Sequence, residues 1–275
     1  MLRFATAGSP LSIPPPGGTL EGIRRVKELE LNAMEIEWVH RVPNSPKAME
    51  EIRKTAEGLG IKLTAHAPYY VNLNAKEQEK LSASIKRVVK ALEMAQIAGA
   101  ASVCVHPAFY LGMEKEEVYE HVKKAAEAIL KFKTKLFPDV NLAFETMGKP
   151  SQFGTLEEVL KLSKEFGIYP CIDFAHMHAR TNGKFNSPAE FNDVIGMYEE
   201  YLGKKSLSKM HLHYSGIEYT LKGERRHLPL NKSDANWKEL LSVLKQRNVG
   251  GVLVCESPIM EKDTLLMQRE YTSLN

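Results

Sequence analysis

Long apolar runs are missing from this chain. No stretch approaches the roughly 18 residues of a membrane-spanning helix. The N-terminal MLRFATAG lacks the apolar core and small-residue cleavage site of an export signal, so neither membrane insertion nor secretion is expected. Cysteine is scarce: Cys104, Cys171 and Cys255 sit in SVCVH, YPCID and LVCES and form no CxxC pair. Such residues read as reduced, buried packing groups, which points to a cytoplasmic protein. An excess of one charge is also missing, since 37 Lys and Arg face 34 Asp and Glu for a net +3. That balance does not identify a nucleic-acid partner, although a local basic face could still neutralise phosphates. No Gly/Ser-rich linker or composition shift divides the 275 residues, so one domain over residues 1–275 is expected. With 43% hydrophobic and 26% charged residues, the disordered, fibrous and disulfide-scaffold classes have no support.

What is present is a regular alternation. Short apolar or β-branched runs occupy Leu2 to Ala7, Ala33 to Glu37, Lys62 to His66, Ser102 to His106, Val140 to Glu145, Tyr169 to Asp173, Ser208 to His213 and Gly251 to Glu256. Between them lie amphipathic stretches such as Glu77 to Ala98 and Glu116 to Phe132, with apolar residues three or four apart. Eight such βα units predict a (β/α)8 TIM barrel, an α/β fold. SIPPPGG at Ser12 to Gly18 predicts a loop on the rim, because consecutive prolines cannot donate ladder hydrogen bonds. Thr155 followed by Glu158 predicts a helix-starting capping box.

The chemistry is concentrated at the strand ends. His66, His106, Glu145, Asp173, His211 and Glu256 mark the third to eighth strands in turn, with His176 and His227 just beyond. In a barrel these ends converge on one mouth, so residues distant in sequence would face a common centre. A lone histidine is commonly a hydrogen-bonded structural residue, but a polar group at the same register of successive strands serves no packing purpose. Imidazoles and carboxylates together suit zinc, manganese or iron better than magnesium or calcium. Eight such ligands exceed the needs of one ion, so two or three ions are expected, with Glu145 as the bridge. His40, His121, His178 and His213 stand outside the set, His178 and His213 as groups that could orient ligands from behind. Cys104 shares the face of His106 one layer deeper and Cys255 faces the helices, so both are read as packing residues.

The ordered set HAPYYVNL (66–73), VHP (105–107), ETM (145–147), DFAH (173–176), MHLHYS (210–215) and CESP (255–258) resembles the endonuclease IV family of apurinic/apyrimidinic endonucleases, within the xylose-isomerase-like barrels. The resemblance spans nearly the whole chain. It implies a zinc cluster with His66 and His106 on one ion, Glu145 bridging to a second held by Asp173, His211 and Glu256, and a third on His176 and His227. It also implies hydrolysis 5′ to an abasic sugar in damaged double-stranded DNA, by a monomer, with Glu145, Asp173 and Glu256 as the catalytic carboxylates and no side-chain nucleophile. Tyr69 and Tyr70 would lie beside the lesion, Tyr70 as a wedge.

The chain also departs from that family. Arg225 stands where an aspartate is expected two residues before His227, with Glu224 adjacent, and LPLNKS replaces the family's glycine-containing turn. EWVHRVPNS replaces an arginine-containing DNA-entering loop, leaving Arg41 as its counterpart. The runner-up is a sugar isomerase or epimerase of the same barrels, using one or two divalent ions; the third is a non-catalytic lesion binder.

Overall fold

A computed structural model describes residues 1–274. Eight parallel strands form the barrel: β1 (Leu2–Ala7), β2 (Ala33–Glu37), β3 (Lys62–His66), β4 (Ser102–Val105), β6 (Asn141–Phe144), β8 (Cys171–Asp173), β9 (Met210–Tyr214) and β12 (Gly251–Cys255). They run β6-β4-β3-β2-β1-β12-β9-β8, and a parallel bridge from Glu145 to Cys171 joins the two end strands. Two small antiparallel pairs ride above the mouth: β5 (Ala108–Phe109) with β7 (Gln152–Phe153), and the hairpin β10 (Gly216–Thr220) with β11 (Gly223–Leu228). Outside lie helices including α1 (Thr19–Glu28), α2 (Pro46–Leu59), α3 (Gln78–Ala98), α4 (Lys115–Leu136), α5 (Leu156–Phe166), α6 (Phe174–Arg180), α7 (Pro188–Leu202), α8 (Trp237–Gln246) and α9 (Glu261–Ser273).

All eight expected strands form, with ends trimmed for local reasons. The sixth starts at Cys171 rather than Tyr169 because Pro170 has no N–H for the ladder. The seventh starts at Met210 because Lys204–Lys209 winds into a 3₁₀ turn. The Thr155 capping box forms as expected, its hydroxyl accepting from Glu158 N while the Glu158 carboxylate accepts from Thr155 N. Among the described residues, no helix is long and apolar enough to cross a membrane.

The apolar core is divided. A large cluster including Phe4, Leu63, Val105, Phe144 and Leu212 fills the layer between strands and helices. Inside the barrel the apolar groups are small: Ala5, Ala33, Val252 and Val254 on one side, Cys104, Ala143 and Cys171 on the other. Small inward side chains leave room for buried polar ones, and Glu35, Thr64, His66, Glu145, Asp173, His211 and His213 share that interior. All three cysteines are unpaired and buried.

Candidate metal centre

Side chains alternate across each strand, so the residues ending β2, β3, β4, β6, β8 and β12 at inward register point into one mouth. Glu145 is the hub and is fully buried. Its Oε2 lies 2.9 Å from His106 Nε2 and 3.5 Å from His66 Nε2; its Oε1 lies 3.3 Å from Nδ1 of both His176 and His213. Asp173 divides its carboxylate between two tasks: Oδ1 caps α6 by accepting from His176 N at 2.7 Å, while Oδ2 faces the mouth. Glu256 Oε1 sits 3.4 Å from His213 Nδ1, and its Oε2 sits 3.7 Å from His227 Nδ1.

Three donor groups meet at the mouth: His66, His106 and Glu145; Glu145, Asp173, His176 and Glu256; His176, Glu224 and His227; two more lie a layer deeper, Cys104, Glu145, Cys171 and His213, and Glu35, His211 and His213. Among the described residues, His66 Nε2, Glu145 Oε1, Asp173 Oδ2, His213 Nδ1 and Glu256 Oε2 are buried without a hydrogen-bond partner. Orphaned buried polar atoms are costly unless something satisfies them, and these five converge. The donor chemistry of imidazole nitrogens and carboxylates suits a zinc-like ion, so the residues fit a metal cluster.

The other nitrogen of several histidines is pinned by the backbone. The Nδ1 atoms of His66, His176 and His227 lie 2.7, 3.0 and 3.1 Å from the carbonyls of Ala67, Thr146 and Glu256. Donation there leaves each Nε2 lone pair free for the mouth.

Two expected placements change. His211 does not reach the mouth group. Register pairs His213 with Asp173 and His211 with Cys171, one layer deeper, so His213 is the histidine beside Glu145 and Glu256. His211 instead places Nε2 2.8 Å from Glu35 Oε2. His227 lies on β11 of a hairpin rather than in a loop. A register shift between Glu218 and Tyr219 pairs them with Arg226 and Glu224, so Arg225 is bulged out and its guanidinium bonds Glu218 at the surface. The extra residue brings Glu224, rather than Arg225, round to the face of His227. Its oxygens then lie 3.6 Å from His176 Nε2 and 3.8 Å from His227 Nε2. Gly148 makes this approach possible: a Cβ there would sit 2.7 Å from Glu224 Cβ and 3.0 Å from the His176 ring.

Two interior carboxylates went unread in the sequence, Glu35 and Glu37, although AMEIE at β2 places both on the inward face. Glu37 feels burial first, against the nearby His66 charge, and its pKa is pushed up to about 8, so it holds a proton at neutral pH. Burial opposes charge on His66, yet Glu145 3.5 Å away and the surrounding carboxyl groups outweigh it and push its pKa up to about 10, so a proton and a metal ion would compete for its Nε2. Burial likewise resists ionisation of Glu145, but the charge of His106 and the close approach of His106, His176 and His213 hold its carboxyl well below the usual carboxylate range. Asp173 is driven the other way by burial, despite His176, with Glu256 and Glu145 adding to the rise.

At the rim, Tyr69 stacks on His106 at 5.2 Å between ring centres and meets His66 edge-on at 5.1 Å. Tyr70 is 62% exposed and packs near His40. Arg41 is exposed. Cys104 is buried one layer down, 3.2 Å from Glu145 Oε2, and His178 bonds the Lys184 carbonyl away from the mouth.

Comparison with known proteins places this geometry. A family model described as xylose isomerase-like TIM barrel matches residues 23–272. An uncharacterized protein of Methanocaldococcus jannaschii is 40% identical over 100% of this chain and 98% of its own length. A probable endonuclease 4 of Mycoplasma genitalium is 24% identical over 81% of this chain and 76% of its own. Among solved structures, endonuclease IV from Thermus thermophilus superposes with a TM-score of 0.74 at 22% identity, covering 98% of each chain. A D-tagatose 3-epimerase-like protein superposes with 0.73 at 17% identity, over 98% and 97%. At those identities the two structures share the fold.

Proposed function

This chain belongs to the xylose isomerase-like TIM barrel family, and on that footing we propose that it is a metal-dependent phosphodiesterase cleaving double-stranded DNA 5′ to abasic sites. The observation that carries the reading is the number and overlap of the donor groups at the mouth: Glu145 belongs to two of them, which suits neighbouring ions, and together they exceed what one ion can use. Bound zinc, or manganese or iron in its place, would supply an activated water and neutralise charge at the phosphodiester. Of the protein's own groups, His66, His106 and Glu145 would hold one ion, Asp173, Glu256 and His213 would join Glu145 at a second, and His176, Glu224 and His227 would hold a third. Tyr69 is anchored on two of these ligands and so offers a fixed aromatic face beside the reacting phosphate. Tyr70, exposed and free of the ligands, is placed to fill the gap of a displaced nucleotide.

The test pairs zinc content per chain, by mass spectrometry on protein purified without chelator, with incision of a duplex carrying one abasic site. Two or three zinc ions and incision absent in Glu145→Gln are expected. Metal-replete wild-type protein that cuts no better than that variant removes the reading. A sugar epimerase is the second reading, because Glu145, Asp173, His213 and Glu256 alone could serve one ion. It leaves His66, His106, His176, Glu224 and His227 without a task.

A further inference from the structure

The mouth histidines differ in what holds them from behind. His66, His176 and His227 lean on backbone carbonyls, but His213 is turned the other way, presenting Nδ1 to Glu145 and Glu256. Its Nε2 lies 2.9 Å from Glu35 Oε1, on a carboxylate that the proposed chemistry does not use. Glu35 in turn places Oε2 2.8 Å from His211 Nε2, and His211 Nδ1 meets Ser102 Oγ at 3.1 Å. Glu35 and His213 are fully buried and His211 nearly so. A chain Glu256/Glu145–His213–Glu35–His211–Ser102 therefore runs from the mouth into the barrel interior.

We propose that Glu35 is a positioning residue that fixes His213 as the Nε2–H tautomer and so presents the Nδ1 lone pair to the metal centre, with His211 holding Glu35 in place. This rests on the metal-centre reading above. Physically, a buried imidazole with a carboxylate at one nitrogen donates there and is a stronger ligand at the other. The two histidines address different oxygens of Glu35 at 2.8 and 2.9 Å, their Nε2 atoms lie 3.2 Å from each other, and both Glu35 oxygens are buried with no other partner, so a proton on each Nε2 is what would satisfy this one carboxylate. An ion seated between Glu35, His211 and His213, which also form a compact donor group, is the competing occupant. It would need both Nε2 atoms bare, and the cavity lined by Thr64, Ser102 and His211 at the opposite end of the barrel would be its path in.

The first measurement uses wild-type zinc-loaded protein labelled with nitrogen-15 in histidine. His213, assigned by comparison with His213→Asn, is expected as the Nε2–H tautomer with a slowly exchanging ring proton; the Nδ1–H tautomer overturns the proposal. The second titrates zinc into apoprotein against a chromophoric chelator. Glu35→Gln is expected to weaken the affected ion about 10- to 100-fold, with partial recovery in Glu35→Asp and no change in the helical circular dichroism. Wild-type affinity in Glu35→Gln overturns the proposal, as does an anomalous zinc peak between Glu35, His211 and His213. A wild-type chain that takes up no zinc at all instead removes the metal-centre reading, and this inference falls with it.

Discussion

Histidines two apart on one strand face the same way, and the chemistry depends on which is level with Glu145. Because His213 is register partner to Asp173 whereas His211 partners Cys171, substitutions at the two should behave differently. His213→Asn should cost one bound zinc ion per chain, whereas His211→Asn should keep the ion count and weaken retention about tenfold, in the range for groups that orient ligands. Mass-spectrometric zinc counts after dialysis decide it, and an ion lost in His211→Asn but not in His213→Asn would reverse the assignment. Glu145 has the largest expected effect, since it serves two of the donor groups at the mouth at once. Removing one partner of a buried charge network leaves its neighbours uncompensated, at about 3–5 kcal/mol.

At the scale of elements, the hairpin β10–β11 shows how one extra residue changes a site. The bulge at Arg225 reverses the alternation, so Glu224 and His227, three apart, share a face. Deleting Arg225 should restore a regular ladder in which Glu224 stands two before His227 and keeps its face, so neither the deletion nor Arg225→Ala should lose an ion. Gly148→Ala should lose one ion, because its methyl would occupy the space of Glu224, and Glu224→Gln should lose the same one. If Gly148→Ala and Glu224→Gln bind as much zinc as the wild type, Glu224 is not a ligand. Elsewhere, α7 begins with a reciprocal cap in which Ser187 Oγ accepts from Glu190 N and Glu190 accepts from Ser187 N. Ser187→Ala should lower stability by about 1 kcal/mol in denaturant titration. The Ser187 hydroxyl and the N–H groups of Asn186 and Phe185 hold the Glu190 carboxyl down at about 2, against an ordinary 4.5. A folded value below the unfolded one means this contribution is complete above about pH 4.5 and is lost as pH falls toward 2. Glu190→Gln should flatten stability across that window; an unchanged acid limb counts against the cap.

The molecule as a whole concentrates unlike requirements in one interior. The helix–strand layer is packed with large apolar groups, whereas the barrel lumen holds alanines, cysteines and ionisable residues. A lumen of that kind is stabilised by what binds at its mouth. Free zinc at 100 times its dissociation constant would add about 2.7 kcal/mol, and for a chain this long that corresponds to roughly 5–10 °C in Tm. Calorimetry with and without EDTA, followed by zinc addition, should show that drop and its recovery. A Tm indifferent to chelation would mean that the donors at the mouth do not hold an ion.

The barrel was legible in the sequence because its signal is local. The eight apolar runs and the amphipathic stretches between them fall where the strands and helices form, since alternation and helical periodicity are properties of neighbouring residues. The gathering of His66, His106, Glu145, Asp173 and Glu256 followed from topology alone, because parallel strands of a barrel end at one mouth. Glu35 and Glu37 were within reach of the same reading, at alternate positions of AMEIE. Choosing between His211 and His213, and between Arg225 and Glu224, was not. Both pairs satisfy the local pattern, and each is decided by hydrogen-bond register against another strand: β8 beside β9, and β10 opposite a bulged β11. Sequence determines which side of a strand a residue takes, while the height at which it meets its neighbours is set by pairing between segments far apart in the chain, and only the folded barrel has that pairing.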